Sequence, residues 1–218
     1  MPLCVTINNL LDSYMTKIIQ TWYNCQVENK EPARRTGLWM EFVNSNRHDY
    51  LGTGEWLDSL DDPKWLDDFL KRWGLETRRV PRGRLLPALR KLRLILQKKA
   101  EAITQGQQIK DLDLRGLSAY LIRSPLIRKL EVGRGGARVK LVPVRPSETS
   151  ILAEIVSSFA DTLADGDVSR LKVCGNRDCR WIFSDGSKNQ TRRWCGPTCG
   201  NLMKVRRFRR RRRVTSSG

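Results

Sequence analysis

Histidine is almost absent from this chain: His48 is the single copy in 218 residues. Ser-His-Asp catalysis and zinc hydrolysis through imidazole ligands therefore lack their parts. Long apolar runs are absent too. None reaches ten residues, whereas a membrane-crossing helix needs about 20, so no membrane partner is expected. The start shows no basic stretch followed by an apolar one, so no secretory signal is expected. Acidic residues are scarce at one end. Residues 170–218 hold 15 Lys and Arg against Asp178 and Asp185 alone, a balance of +13. Residues 1–169 hold 26 basic and 21 acidic residues, a balance of +5. Most of the total of +18 thus sits on a short basic module behind a nearly neutral body. A field of that sign attracts polyanions, with nucleic acid as the first partner to consider.

The same basic stretch carries four of the six cysteines, Cys174, Cys179, Cys195 and Cys199. Their pattern is C-x4-C, fifteen residues, then C-x3-C. Two close pairs joined by such a loop suit one tetrahedral Zn2+ held by four thiolates. The alternative, two disulfides, needs an oxidising compartment, and nothing in the sequence suggests export. A site closed by four thiolates leaves no position for a reacting water, so the zinc reads as structural. Acid pairs such as Asp61-Asp62 and Asp67-Asp68 are explained by capping and solvated helix faces. We therefore expect no enzyme. Cys4 and Cys25 read as ordinary small apolar side chains.

Between the pairs, Trp181-Ile182-Phe183 reads as a short strand, Ser184 to Ser187 as a turn, and Thr191 to Trp194 as the returning strand. A helix is expected over about Asn201 to Arg213, with Pro197 acceptable at its entry. Leu202, Val205 and Phe208 would hold that helix to the hairpin. The tripeptide CGN occurs twice, at Cys174-Gly175-Asn176 and Cys199-Gly200-Asn201. Glycine after a ligand would permit a positive φ and let the backbone wrap the metal.

The segment from Val173 through the arginine run, CGNRDCRWIFSDGSKNQTRRWCGPTCGNLMKVRRFRRRRR, resembles the CGNR zinc finger. In that bacterial family the finger closes the chain behind an ABATE domain, associated with stress-induced transcription regulation. Leu38-WMEFVNS resembles the strand with which that domain opens, and Pro63-KWLDDFLKRWGL its first long helix. The resemblance spans about residues 37–213. It implies Cys174, Cys179, Cys195 and Cys199 as zinc ligands. The second CGN is followed by Leu202, where the family name implies Arg.

In the body, Asp62 and Pro63 start a helix with the stripe Trp65, Leu66, Phe69, Leu70 and Trp73, ended by Gly74. Leu85, Leu89, Leu92, Leu96 and Ile103 mark a second helix, ended near Gly106, with Arg90, Lys91, Arg93, Lys98 and Lys99 on its polar side. A shorter helix is expected over Asp113 to Arg123. Leu126 to Val132 and Ala137 to Val144 flank a Gly-rich turn and read as a β-hairpin. Ser147 caps a last helix with Ile151, Leu152, Ile155, Val156, Phe159 and Leu163, ended by Asp165-Gly166. Leu10, Leu11, Tyr14, Ile18 and Trp22 form one amphipathic segment near the start.

The expected fold class is α+β. A mostly helical body with a β-hairpin precedes a small treble-clef- or ribbon-like zinc finger. The expected units are an N-terminal extension over 1–36, an ABATE-like body over 37–167, the finger over 168–213 and a disordered tail over 214–218. The expected function is that of a bacterial cytoplasmic transcription regulator binding DNA through Arg192, Arg193, Lys204, Arg206, Arg207, Arg209 and Arg210. The alternative is an RNA-binding or protein-docking zinc module. A homodimer and a small-molecule effector held in an apolar cavity of the body are further expectations.

Overall fold

A computed structural model describes residues 31–49, 54–75, 80–133, 136–164 and 167–215. The amphipathic N-terminal segment, Cys4, Cys25 and the Asp165-Gly166 stop lie outside the described residues.

The first described element is a helix, α1 (Glu31–Val43). It overturns the strand expected at Leu38 to Ser45. Aromatic and β-branched residues there suggest β structure, but the buried set is Leu38, Trp39, Phe42 and Val43. That spacing follows the helical period of 3.6 and not alternation. A short hairpin follows, β1 (Asn46–His48) paired antiparallel with β2 (Trp56–Asp58).

Helix α2 (Pro63–Arg72) begins as its sequence requires. The Asp62 carboxylate accepts from the Lys64 amide at 2.9 Å, and Pro63 sits where no amide is needed. Gly74, at φ +68, ends it. Leu66, Phe69 and Leu70 are buried, and Trp65 stacks on Phe69 at 5.1 Å between ring centres. The aromatic stripe is therefore core packing.

Helix α3 (Arg82–Thr104) buries Leu85, Leu89, Leu92, Leu96 and Ile103 as expected. Arg93 departs from its expected place on the polar side. It is 5% exposed, donates to both carboxylate oxygens of Asp58 at 2.6 and 2.5 Å, and reaches the Ser45 hydroxyl at 2.8 Å. A carboxylate on β2 thus draws the charge inward, which periodicity within α3 cannot reveal. Helix α4 (Arg115–Ile122) is shorter than expected.

β3 (Leu126–Gly133) and β4 (Gly136–Pro143) form a regular antiparallel hairpin, with Leu130 opposite Val139. Helix α5 (Glu148–Ala164) starts at a reciprocal pair: the Ser150 hydroxyl accepts from the Ser147 amide at 2.8 Å, and the Ser147 hydroxyl from the Ser150 amide at 3.4 Å.

Helix α5 is the centre of the body. It packs on α1, α3 and α4. Trp39 fastens α1 to it: the indole donates to the Thr162 hydroxyl at 2.8 Å, and the ring meets Phe159 edge-on at 4.9 Å. The last two strands, β5 (Leu171–Val173) and β6 (Ile182–Ser184), pair antiparallel. Leu171 and Ile182 join the body's core, with β5 against α3 and β6 against α1. The Asn44 side chain grips β6 from both sides of the peptide, donating to the Ile182 carbonyl at 2.8 Å and accepting from its amide at 2.9 Å. The finger is therefore docked onto the body. The chain closes with α6 (Pro197–Thr215), entered at Pro197 as expected and extending past Arg213.

Candidate metal centre

β5 and β6 pair with each other across the Cys174–Cys179 knuckle, so the knuckle is the turn of the finger's hairpin. This corrects the expected pairing of residues 181–183 with 191–194. Residues 191–194 form no strand; they bring the third ligand in as an extended loop. The Cys174 amide donates to the Trp181 carbonyl at 2.8 Å, closing the ladder at the metal-binding end. Cys195 lies just before α6, and Cys199 lies in its first turn.

The four sulfurs converge. All lie within 4.8 Å of one another, and all four cysteines are buried and unbridged. Cys179 Sγ and Cys195 Sγ are 3.7 Å apart, and Cys195 Sγ and Cys199 Sγ 3.8 Å. A tetrahedron of thiolates at a Zn–S distance of about 2.3 Å has edges of about 3.8 Å, so one zinc fits. The electrostatics need a cation. Hydrogen bonds from Cys179 and Cys195 lower the Cys174 thiol to about 7, and that stabilised thiolate pushes the Cys179 and Cys195 thiols up. Four thiolates coexist here when a divalent ion holds them. These four clustered cysteines fit one structural zinc.

Polar groups around the sulfurs complete the site. Asn176 is fully buried, and its side-chain amide donates to Cys199 Sγ at 3.7 Å. Its side-chain oxygen accepts from the Asp178 amide at 3.3 Å, and its carbonyl from the amides of Cys179 and Arg180 at 3.0 and 3.1 Å. The Cys195 amide donates to Cys174 Sγ at 3.5 Å. The glycines act differently from expectation. Neither Gly175 nor Gly200 has a positive φ. The left-handed residue of the knuckle is Arg180, at φ +53, just after Cys179. Gly175 is needed for close approach: its amide donates to the Arg193 carbonyl at 2.7 Å, and a Cβ there would stand 2.9 Å from that oxygen. Gly200 lies inside α6, where a Cβ would meet the Trp194 ring at an ordinary 3.8 Å.

A second buried centre shapes the loop from β6 to Cys195. Asp185 is fully buried. It accepts from Lys172 Nζ at 2.6 Å, from the Ser187 hydroxyl at 2.6 Å and amide at 3.0 Å, and from the Arg192 amide at 2.8 Å. Desolvation raises this carboxyl, but Lys172, Ser187 and the Arg192 amide outweigh it and hold it well below the usual carboxylate range. Lys172 also donates to the carbonyls of Gln190 and Arg192.

The basic residues divide by role. Arg192 is half-buried: its guanidinium lies 5.2 Å from the Phe183 ring centre and donates to the Cys195 carbonyl at 2.7 Å. It therefore braces the ligand loop. Arg193 is exposed, 5.9 Å from the Trp194 ring centre. Arg206 pairs with Asp178 on the knuckle at 2.6 Å. Lys204, Arg207, Arg209 and Arg210 are exposed on α6. Leu202 and Met203 are half-buried, but Val205 is 45% and Phe208 60% exposed. This corrects the expected apolar stripe: of Leu202, Val205 and Phe208, the last two do not hold the helix to the finger. Helix α6 leaves the zinc module after its second turn.

The ABATE family model, described as "Putative stress-induced transcription regulator", matches residues 37–166, and the CGNR zinc finger model matches residues 170–212. The chain belongs to the ABATE family. No curated protein matches it.

Two further features of this ABATE protein bear on function. A groove of about 660 Å³, lined by Leu112, Asp113, Leu114, Arg115, Ser118 and Ile122, opens widely to solvent. Its two charged groups, Asp113 and Arg115, pair with each other at 3.0 Å. No described helix is long and apolar enough to cross a membrane. Sequence reasoning missed Asn176, Lys172 and Asp185 as parts of the site. For Asp185 a signal existed: it is one of two acids among the last 49 residues.

Proposed function

We propose that this protein is a non-catalytic, cytoplasmic regulator that binds DNA through its finger. The ABATE body dimerises or receives a signal, and α6 docks on the duplex. One observation carries this reading. A helix pinned at Cys199 to the metal centre runs beyond the module with Lys204, Arg207, Arg209, Arg210, Arg211 and Arg212 exposed. An α-helix with its side chains is about 10–12 Å across, which matches the B-DNA major groove of about 12 Å.

In this reading the zinc, when bound, supplies a fixed platform and no chemistry on substrate. Arg193, Lys204, Arg207, Arg209 and Arg210 capture phosphates, Arg206 contributes while tied to Asp178, and Arg192 acts indirectly by holding Cys195 in place. Arginine can bind guanine bidentately, but such a helix offers few side chains for the other bases. Binding by the finger alone is therefore tight, salt-sensitive and weakly specific. The test is crosslinking in cells, recovery of the bound nucleic acid, and sequencing of both DNA and RNA. Enrichment of promoter-proximal DNA supports the proposal. Enrichment of RNA alone moves the protein to an RNA-directed role.

A further inference from the structure

The β3–β4 hairpin is amphipathic, with its apolar side turned to solvent. The register sets Leu126, Arg128, Leu130 and Val132 on one face, opposite Pro143, Leu141, Val139 and Ala137. Lys129, Glu131 and Lys140 lie on the other face, with Ile127 and Val142 at its base, and Lys129 and Glu131 approach to 3.8 Å. Leu130 is 67%, Val132 85% and Val139 63% exposed, and Leu126 and Leu141 are exposed beside them. A two-stranded hairpin with an exposed apolar face is marginally stable in water, so this face calls for a cover.

We propose that the cover is a second copy of this chain, with the two hairpins packed face to face across a two-fold axis. Three observations favour that occupant. The first is area. The five large apolar side chains expose roughly 500 Å² per chain, so a two-fold contact buries about 1,000 Å², the floor for a specific interface. The second is charge. Arg128 is the single charge among the eight facing positions, and it lies toward the base of the hairpin, so one copy does not repel another. The third is the split of charge along the chain. The basic module holds +13, while residues 1–169 carry +5, so copies can meet through the body with their finger helices apart. Flat strand faces also pack naturally on each other, at about 10 Å between sheets. The contact places two basic helices on one particle, which supplies the specificity that one arginine helix lacks.

Sedimentation of the full-length zinc-bound protein without nucleic acid tests this directly. Its outcome is independent of whether α6 binds DNA. The wild type is expected to sediment at twice the 25.2 kDa chain mass at high concentration and to dissociate on dilution. Leu130→Glu and Val139→Glu, each at an exposed position, are expected to weaken the dimer at least tenfold with zinc content unchanged. Hydrogen exchange of residues 126–143 should slow as the wild-type concentration rises. A wild-type protein that stays monomeric to about 100 µM, a range that reaches weak affinities, overturns the proposal. So does a dimer indifferent to both substitutions. Hairpin protection that does not depend on concentration overturns it as well, because the cover then comes from within the same chain.

Discussion

Asn176 is a polar side chain spent wholly on the metal centre, joining the knuckle to Cys199 on α6. Hydrogen bonds to a ligating sulfur orient the ligand, and losing one typically costs 10–100-fold in metal affinity. Asn176→Ala is therefore expected to lose zinc to a chromophoric chelator roughly 10–100-fold more readily, while Asn201→Ala, at the exposed end of the second repeat, retains it. The two glycines make a sharper pair. Gly175→Ala places a methyl 2.9 Å from the Arg193 carbonyl and breaks the approach of that loop, whereas Gly200→Ala meets a ring at 3.8 Å inside a helix. The first should lower zinc retention and the second should leave it unchanged or raise helix stability slightly. The four ligands are legible from spacing alone, because metal geometry restricts which short loops can hold it. The different duties of two identical tripeptides are not legible, because they depend on which backbone lies opposite.

At the scale of elements, β2 and α3 are joined by a buried ion pair. Burial alone would raise the Asp58 carboxyl, but Arg93 and the Leu60 amide outweigh it and hold it below its ordinary 3.8. Asp58→Ala leaves Arg93 buried without its counter-charge and is expected to cost about 3 kcal/mol in a denaturant melt at neutral pH. Because the folded value is the lower one, the wild-type advantage is complete above about pH 4 and shrinks as the pH falls through that lower value. Helix α6 gives the opposite expectation. Val205 and Phe208 are exposed, so Val205→Ser with Phe208→Ser should shift the melt by less than about 0.5 kcal/mol. A larger loss would mean that the stripe does pack on the finger. The α2, α3 and α5 helices are legible because caps and a 3.6-residue stripe agree. At α1 aromatic composition and period disagree, and period prevails because a helix lets Trp39 meet Phe159 on α5 while Phe42 meets Phe69 on α2.

Across the whole molecule, charge is sorted along the chain, and this sorting is visible in the sequence. The docking of the finger is not. It rests on Asn44 meeting Ile182 across 138 residues, and nothing local at either residue announces the partner. Contacts therefore run without a break from the body through β5 and β6 to the cysteine cluster.

The central claim is that α6 captures phosphates while the zinc fixes its direction. The most direct test is the salt dependence of duplex DNA binding by the zinc-bound wild type and by a variant with Arg206, Arg207, Arg209 and Arg210 all changed to Ala. Each lost phosphate contact lowers the slope of log affinity against log salt by about 0.9. The account predicts weaker binding across unrelated sequences and a slope flatter by up to about 3.6 units, with one zinc retained per chain. Equal affinity and equal slope for the two proteins, on duplex DNA and on RNA, would contradict it.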